Sequence, residues 1–145
     1  MKILVAYDGR SHSDHAVDSA ADLAGGHDAE VTVLSVVPPD ARASKAGGHV
    51  GLRPHAHEDV ARAHARLRER GIASEMRIEH GDPAEEIVRV AGEEGFDLVV
   101  SGSRGRGTLG GLLLGSVSQT LVRTAPCPVL VVAEDHEERF EPTRS

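Results

Sequence analysis

The 145 residues predict a doubly wound α/β domain with a single five-stranded parallel sheet of order 3-2-1-4-5 and helices on both faces. Two observations carry that expectation. Short apolar, β-branched runs alternate along the chain with segments whose apolar residues recur at helical spacing. The runs themselves are nearly continuous rather than alternating, the pattern of strands covered on both faces.

Ile3 to Ala6 is the first run, closed by Asp8-Gly9 as a turn. Ala16, Val17, Ala20, Leu23 and Ala24 mark a helix entered at Ser11 as N-cap and stopped at Gly25-Gly26. Val31 to Val37 is the second strand, ended by Pro38-Pro39. Residues 38 to about 56 show no periodicity and read as a flexible loop. Val60, Ala63 and Leu67 mark a helix ending at Gly71, and Ala73 to Glu79 reads as an edge strand. Asp82-Pro83-Ala84-Glu85 is a helix start, with Asp82 as cap and Pro83 at the first helical position. Ala84, Ile87, Val88 and Ala91 form its apolar stripe. A fourth strand opens at Asp97 to Val100, a glycine-rich stretch follows, Ser116 to Arg123 is a helix, and Pro128 to Val132 is the fifth strand. Residues 1–134 are expected to form the domain and 135–145 a charged, disordered tail.

Right-handed crossovers leave few topologies for this βαβαβαβαβ order. In the order 3-2-1-4-5 the chain reverses direction between strands one and four. Ligands of such sheets sit beyond the carboxyl ends of the strands at that switch point. Asp8 follows strand one and Gly102 follows strand four, so these two loops are expected to meet.

Composition narrows the classes of function. A net charge of −7 is unsuited to general nucleic-acid binding or to an anionic membrane surface. All but Lys2 and Lys45 of the 16 basic residues are Arg, and with no Trp, one Tyr and two Phe the core must be aliphatic. A single cysteine, Cys127, points to a reducing compartment, and its position before a core strand to a buried structural role. Tyr7-Asp8-Gly9-Arg10 interrupts the apolar N-terminus too early for a signal peptide, so a cytoplasmic location is expected.

The segment from Ser101 to Val117 concentrates the chemistry. Its glycines let backbone amides approach an anion, and the first amides of the helix near Ser116 have no intrahelical acceptor. Ser116 and Gln119 have capping-box spacing, and Arg104 and Arg106 add positive charge. Gly105, Gly107 and Gly110 match a dinucleotide fingerprint by letter, but no acidic residue follows at the required distance. No lysine precedes Ser116 as a Walker-type loop requires. Elsewhere, Asp14, Asp18 and Asp22 recur every four residues as a solvated acidic face, and His55, His57 and Glu58 lack the partners of a zinc site. His12 and His15 lie near the expected site or on the surface.

The spacing of Gly102, Gly105, Gly115 and Ser116 satisfies Gly-x2-Gly-x9-Gly-Ser/Thr, and with Leu112 to Val117, Ala125 to Val132, Ile3 to Val5 and Asp8-Gly9 the chain resembles the universal stress protein family over nearly its whole length. The resemblance implies ATP held with Ala6, Tyr7 and Asp8 against the adenosine and Val36 against the adenine. It also implies phosphates on Gly102, Ser103, Arg104, Gly105, Gly115, Ser116 and Val117, with Mg²⁺ as a companion, and a homodimer through Val129, Leu130, Val131 and Val132. Arg10, Ser101 and Arg104 depart from residues common in the family, Ser101 making one wall of the adenine pocket more polar. The implied function is a nucleotide-binding regulatory or stress-response protein with little or no turnover; a ligand-free dimeric scaffold and a slow ATPase are the alternatives.

Overall fold

The computed structural model describes residues 1–26, 28–39, 55–103, 105–106, 112–113 and 115–133. Its elements follow the expected order: β1 (Lys2–Ala6), α1 (Ser11–Gly25), β2 (Glu30–Val37), α2 (Ala56–Glu69), β3 (Ser74–His80), α3 (Pro83–Glu93), β4 (Leu98–Ser103), β5 (Gly105–Arg106), β6 (Leu112–Leu113), α4 (Ser116–Thr124) and β7 (Val129–Ala133). The main sheet is entirely parallel with order β3-β2-β1-β4-β7, the predicted arrangement. The glycine-rich stretch also holds an antiparallel ribbon, β5 with β6, that the sequence did not signal because two-residue strands have no readable period. The region around residues 40–54 and the expected tail lie outside the described residues.

The sheet's pleat sorts the core into two layers. Ile3 and Val5 point toward α1 and α2, where they pack with Ala16, Val17, Ala20, Ala63 and Leu67. Leu4 points the other way, toward α3 and α4, and packs with Ile87, Val90, Ala91 and Leu121. In α2 the buried residues are Ala56, Val60, Ala63 and Leu67, one apolar stripe at helical spacing. Helix α3 begins as predicted: the Asp82 carboxylate accepts the Glu85 amide at 3.0 Å and Pro83 opens the first turn.

Two helix caps differ from expectation, although the last helix starts at Ser116 as expected. Arg10, not Ser11, is the N-cap of α1, and its side chain makes no capping bond. Gly115, not Ser116, is the N-cap of α4, so Ser116 is the first helical residue rather than the cap of a box with Gln119. In both cases the residue before the expected cap adopts the extended backbone that defines the cap position, and a residue inside the helix cannot serve as its own cap.

The acidic face of α1 is also not merely solvated. Asp18 accepts two bonds at 2.8 Å from the guanidinium of Arg66, and Asp22 pairs with Arg70. Asp14 accepts the Tyr7 hydroxyl at 2.6 Å, and Arg62 donates to that same hydroxyl at 3.2 Å. Two ladders of four-residue period, acidic on α1 and basic on α2, therefore zip the two helices together over β1 and β2. The Arg66 hydrogen bonds hold the Asp18 carboxyl below its usual range despite partial burial. Cys127 is half-buried rather than buried, and burial, with Asp97 nearby, pushes its thiol up.

Candidate functional site

The central strand β1 stops short of its neighbours. Its last residue, Ala6, lies opposite Leu34 of β2 and Ser101 of β4, yet β2 continues to Val37 and β4 to Ser103. The result is a notch at the carboxyl edge of the sheet, at the switch point. A cavity of about 540 Å³ fills it, a size suited to a small-molecule ligand.

The notch exposes strand polar groups that would otherwise be paired. The Tyr7 amide donates to the Leu34 carbonyl at 2.9 Å, the last link from the β1 segment to β2. Alternate residues of a strand direct their amide and carbonyl to the same side, so Val36 presents its own where no residue of β1 opposes it. On the other side of β2, Val37 offers its carbonyl to the Gly81 amide at 3.0 Å. Leu34, Val36, Pro38, Pro83 and Ile87 give this end of the cavity apolar walls with one hydrogen-bonding strand edge.

At the opposite end α4 begins. Gly115, Ser116 and Val117 line the cavity, and the first amides of a helix lack intrahelical acceptors. A Cβ built on Gly115 meets nothing within 4 Å among the described residues. Gly102 is different. A Cβ there would lie 2.1 Å from the His12 carbonyl oxygen, so the bare backbone at Gly102 is what lets the first turn of α1 seat against β4.

Asp8 stands between the two ends. Its Oδ1 accepts from the Ser13 hydroxyl at 2.6 Å and from the Arg10 amide at 3.0 Å, and its Oδ2 lies 3.3 Å from His12 Nε2. The Asp8 amide donates back to Ser13 Oγ at 3.0 Å. Burial raises the carboxyl's pKa, but the bonds from His12, Ser13 and the Arg10 amide outweigh it and hold the group well below the usual carboxylate range. The turn that follows is clamped from outside: Gly9 has φ +84°, a Cβ there would lie 2.6 Å from the Asp59 carboxylate, and Arg62 donates to the Gly9 carbonyl at 3.1 Å.

Of the residues implicated from sequence, Ala6, Tyr7, Asp8, Val36, Gly102, Ser103, Gly115, Ser116 and Val117 all line this one cavity. The Tyr7 ring packs into the α1–α2 layer, so Tyr7 offers the cavity main chain. The backbone of Gly105 pairs with Leu113 in the ribbon. Arg104 lies outside the described residues. Sequence reasoning missed Ser118, which is buried and bonds to Ser101 Oγ at 3.0 Å and to the Gly102 carbonyl at 3.3 Å, tying α4 to β4. The hydroxyl of Ser101 is therefore engaged rather than presented. Ser13, which with Ala16 also carries the family resemblance, was given no role at the site; its hydroxyl bonds the Asp8 carboxylate. His12 lines the cavity and His15 does not. Among the described residues, no three of His, Cys, Asp and Glu gather as a metal site.

A family model described as the universal stress protein family matches residues 1–133. The chain belongs to the universal stress protein family. Among its relatives, universal stress protein YxiE of Bacillus subtilis is 34% identical over 144 residues, covering 90% of this chain and 97% of that protein. A universal stress protein structure from Archaeoglobus fulgidus superposes with a TM-score of 0.78 at 26% identity, covering 91% of this chain and 98% of the other. A universal stress protein solved in complex with cAMP superposes with a TM-score of 0.72 at 28% identity, covering 92% and 96%.

Two outcomes follow from the geometry of this universal stress protein. Gly102→Ala lowers stability by about 1–3 kcal/mol in urea unfolding because backbone must move, whereas Gly115→Ala costs less than about 1 kcal/mol; equal losses would contradict the packing role of Gly102. Asp8 has a depressed folded pKa, so its contribution is present above the ordinary value of about 3.9 and is lost as pH falls through the folded value. Asp8→Asn is accordingly less stable than the parent by about 1 kcal/mol at pH 7, and the gap narrows toward pH 3; a gap independent of pH would show that the charge is immaterial.

Proposed function

We propose that the chain binds an adenine nucleotide, ATP foremost, in the notch at the end of β1, and acts in the cytoplasm as a regulatory or stress-response protein with little or no turnover. The observation that carries this reading is the single cavity with two unlike ends. Val36 offers one donor and one acceptor along an apolar wall, the pattern that the edge of an adenine complements. Gly115, Ser116 and Val117 offer helix amides to an anion. Asp8 between them is an ionised acceptor for a sugar hydroxyl. The relative solved with cAMP, at 28% identity, supports the adenine class. In this reading Gly102 and Ser103 border the phosphates, and Arg104 and Gly105 enter only through the sequence motif. Mg²⁺, when it accompanies the nucleotide, would keep water and phosphate oxygens as its main ligands, since no acidic cage gathers among the described residues.

Isothermal calorimetry with ATP should give saturable binding, and Gly115→Val, which pushes a branched side chain into the space beside the α4 amides, should abolish it while the protein stays folded. No heat at millimolar ATP, AMP or cAMP would defeat the reading in favour of a ligand-free scaffold.

We also propose a homodimer through β7. Within the main sheet this strand pairs only with β4, and Leu130 on it is 38% exposed. An apolar edge strand with unpaired amides is a template for a second copy. Light scattering should give the mass of two chains, and Leu130→Lys should reduce it to one; a monomeric parent would refute the pairing.

A further inference from the structure

We propose that Arg10 reads the phosphate chain of the ligand and so sets preference by the number of phosphates, an inference that rests on the nucleotide reading above. Arg10 is the only Lys or Arg among the described residues lining the cavity, in a chain of net charge −7. Among the described residues its guanidinium has no acidic partner. The carboxylate two residues back, Asp8, takes bonds from the Ser13 hydroxyl, from His12 and from the main-chain amide of Arg10 itself. The backbone of Arg10 is therefore fixed at the cavity while its side chain is exposed and, among the described residues, makes no ion pair.

The rim position lies on the phosphate side. Arg10 caps helix α1, whose first turn abuts β4, where the His12 carbonyl sits against the bare Cα of Gly102. That places Arg10 across from the α4 start rather than beside the Val36 end of the cavity. A guanidinium can bind phosphate oxygens in a bidentate manner, and the α4 amides on the facing wall hold the same anion from the other side. A longer phosphate chain reaches farther toward the rim, so the contact grows from nucleoside to triphosphate. At a solvent-exposed rim the contribution is moderate, because water and salt screen it.

The test is calorimetric titration of the full-length protein with adenosine, AMP, ADP and ATP at one ionic strength, comparing the parent with Arg10→Ala and Arg10→Lys. Arg10→Ala should weaken ATP about five- to tenfold, AMP about twofold or less and adenosine not at all, with Arg10→Lys intermediate for ATP. Thermal unfolding of the unliganded variants should match the parent, as expected for an exposed side chain. Unchanged ATP affinity in Arg10→Ala would overturn the proposal while leaving nucleotide binding intact. An equal loss for adenosine and ATP would also overturn it, since that marks a structural effect on the Asp8 turn. A parent that binds none of the four ligands would remove the nucleotide reading and this inference with it.

Discussion

The early end of β1 is the constraint from which the site follows. A parallel sheet satisfies its backbone by pairing each strand on both sides, and a central strand that stops first leaves its neighbours with unpaired edges facing each other. Crossovers on opposite faces then carry α1 away on one side and α3 on the other, so nothing in the main sheet refills the gap. What remains is a slot with main-chain donors and acceptors on its flanks, apolar side chains from β2 and α3 at one end and a helix start at the other. Asp8 sits where the chain leaves β1, and its bonds to Ser13, His12 and the Arg10 amide set the shape of that exit.

The supports of the slot are layered outside it. Arg62 ties the Gly9 carbonyl to the Tyr7 hydroxyl, and through Asp14 to α1. The Asp18–Arg66 and Asp22–Arg70 pairs continue that line along both helices. Individually such exposed pairs contribute little. Together they hold α2 against α1, with the Arg62 bonds to the Gly9 carbonyl and the Tyr7 hydroxyl anchoring the end of the line beside the Asp8 turn. On the far face Ser118 performs a similar service, binding Ser101 and the Gly102 carbonyl so that the start of α4 keeps its distance from β4.

Much of this was legible in the sequence because it depends on local pattern. Ile3 to Ala6, Val31 to Val37 and Val129 to Val132 are apolar runs of strand length, and right-handed crossovers turn their order into a topology. Asp82-Pro83 announced a helix start by residue chemistry alone, and the structure has it. The glycine spacing after β4 pointed to the cavity that Gly102, Gly115 and Ser116 line. What escaped depends on partners distant in sequence. Neither Asp18 nor Arg66 reveals its pairing across 48 residues, although Arg70 and Asp22 repeat the same offset and together would have disclosed the zipper. The caps of α1 and α4 were misplaced because capping depends on backbone conformation, and Arg10 and Gly115 give no strong side-chain sign of it. The ribbon that pairs Gly105 with Leu113 escaped as well, because strands of two residues leave no period to read.

The two glycines that bracket the site have unequal freedom to vary. Gly102 is required by the approach of α1 whether or not a ligand ever enters, while nothing described in the protein itself crowds the Cα of Gly115. Descendants that abandon their ligand would thus retain the first glycine as an architectural relic and let the second drift. Among such sequences, the letter at position 115 is the informative one for telling a working receptor from an empty shell.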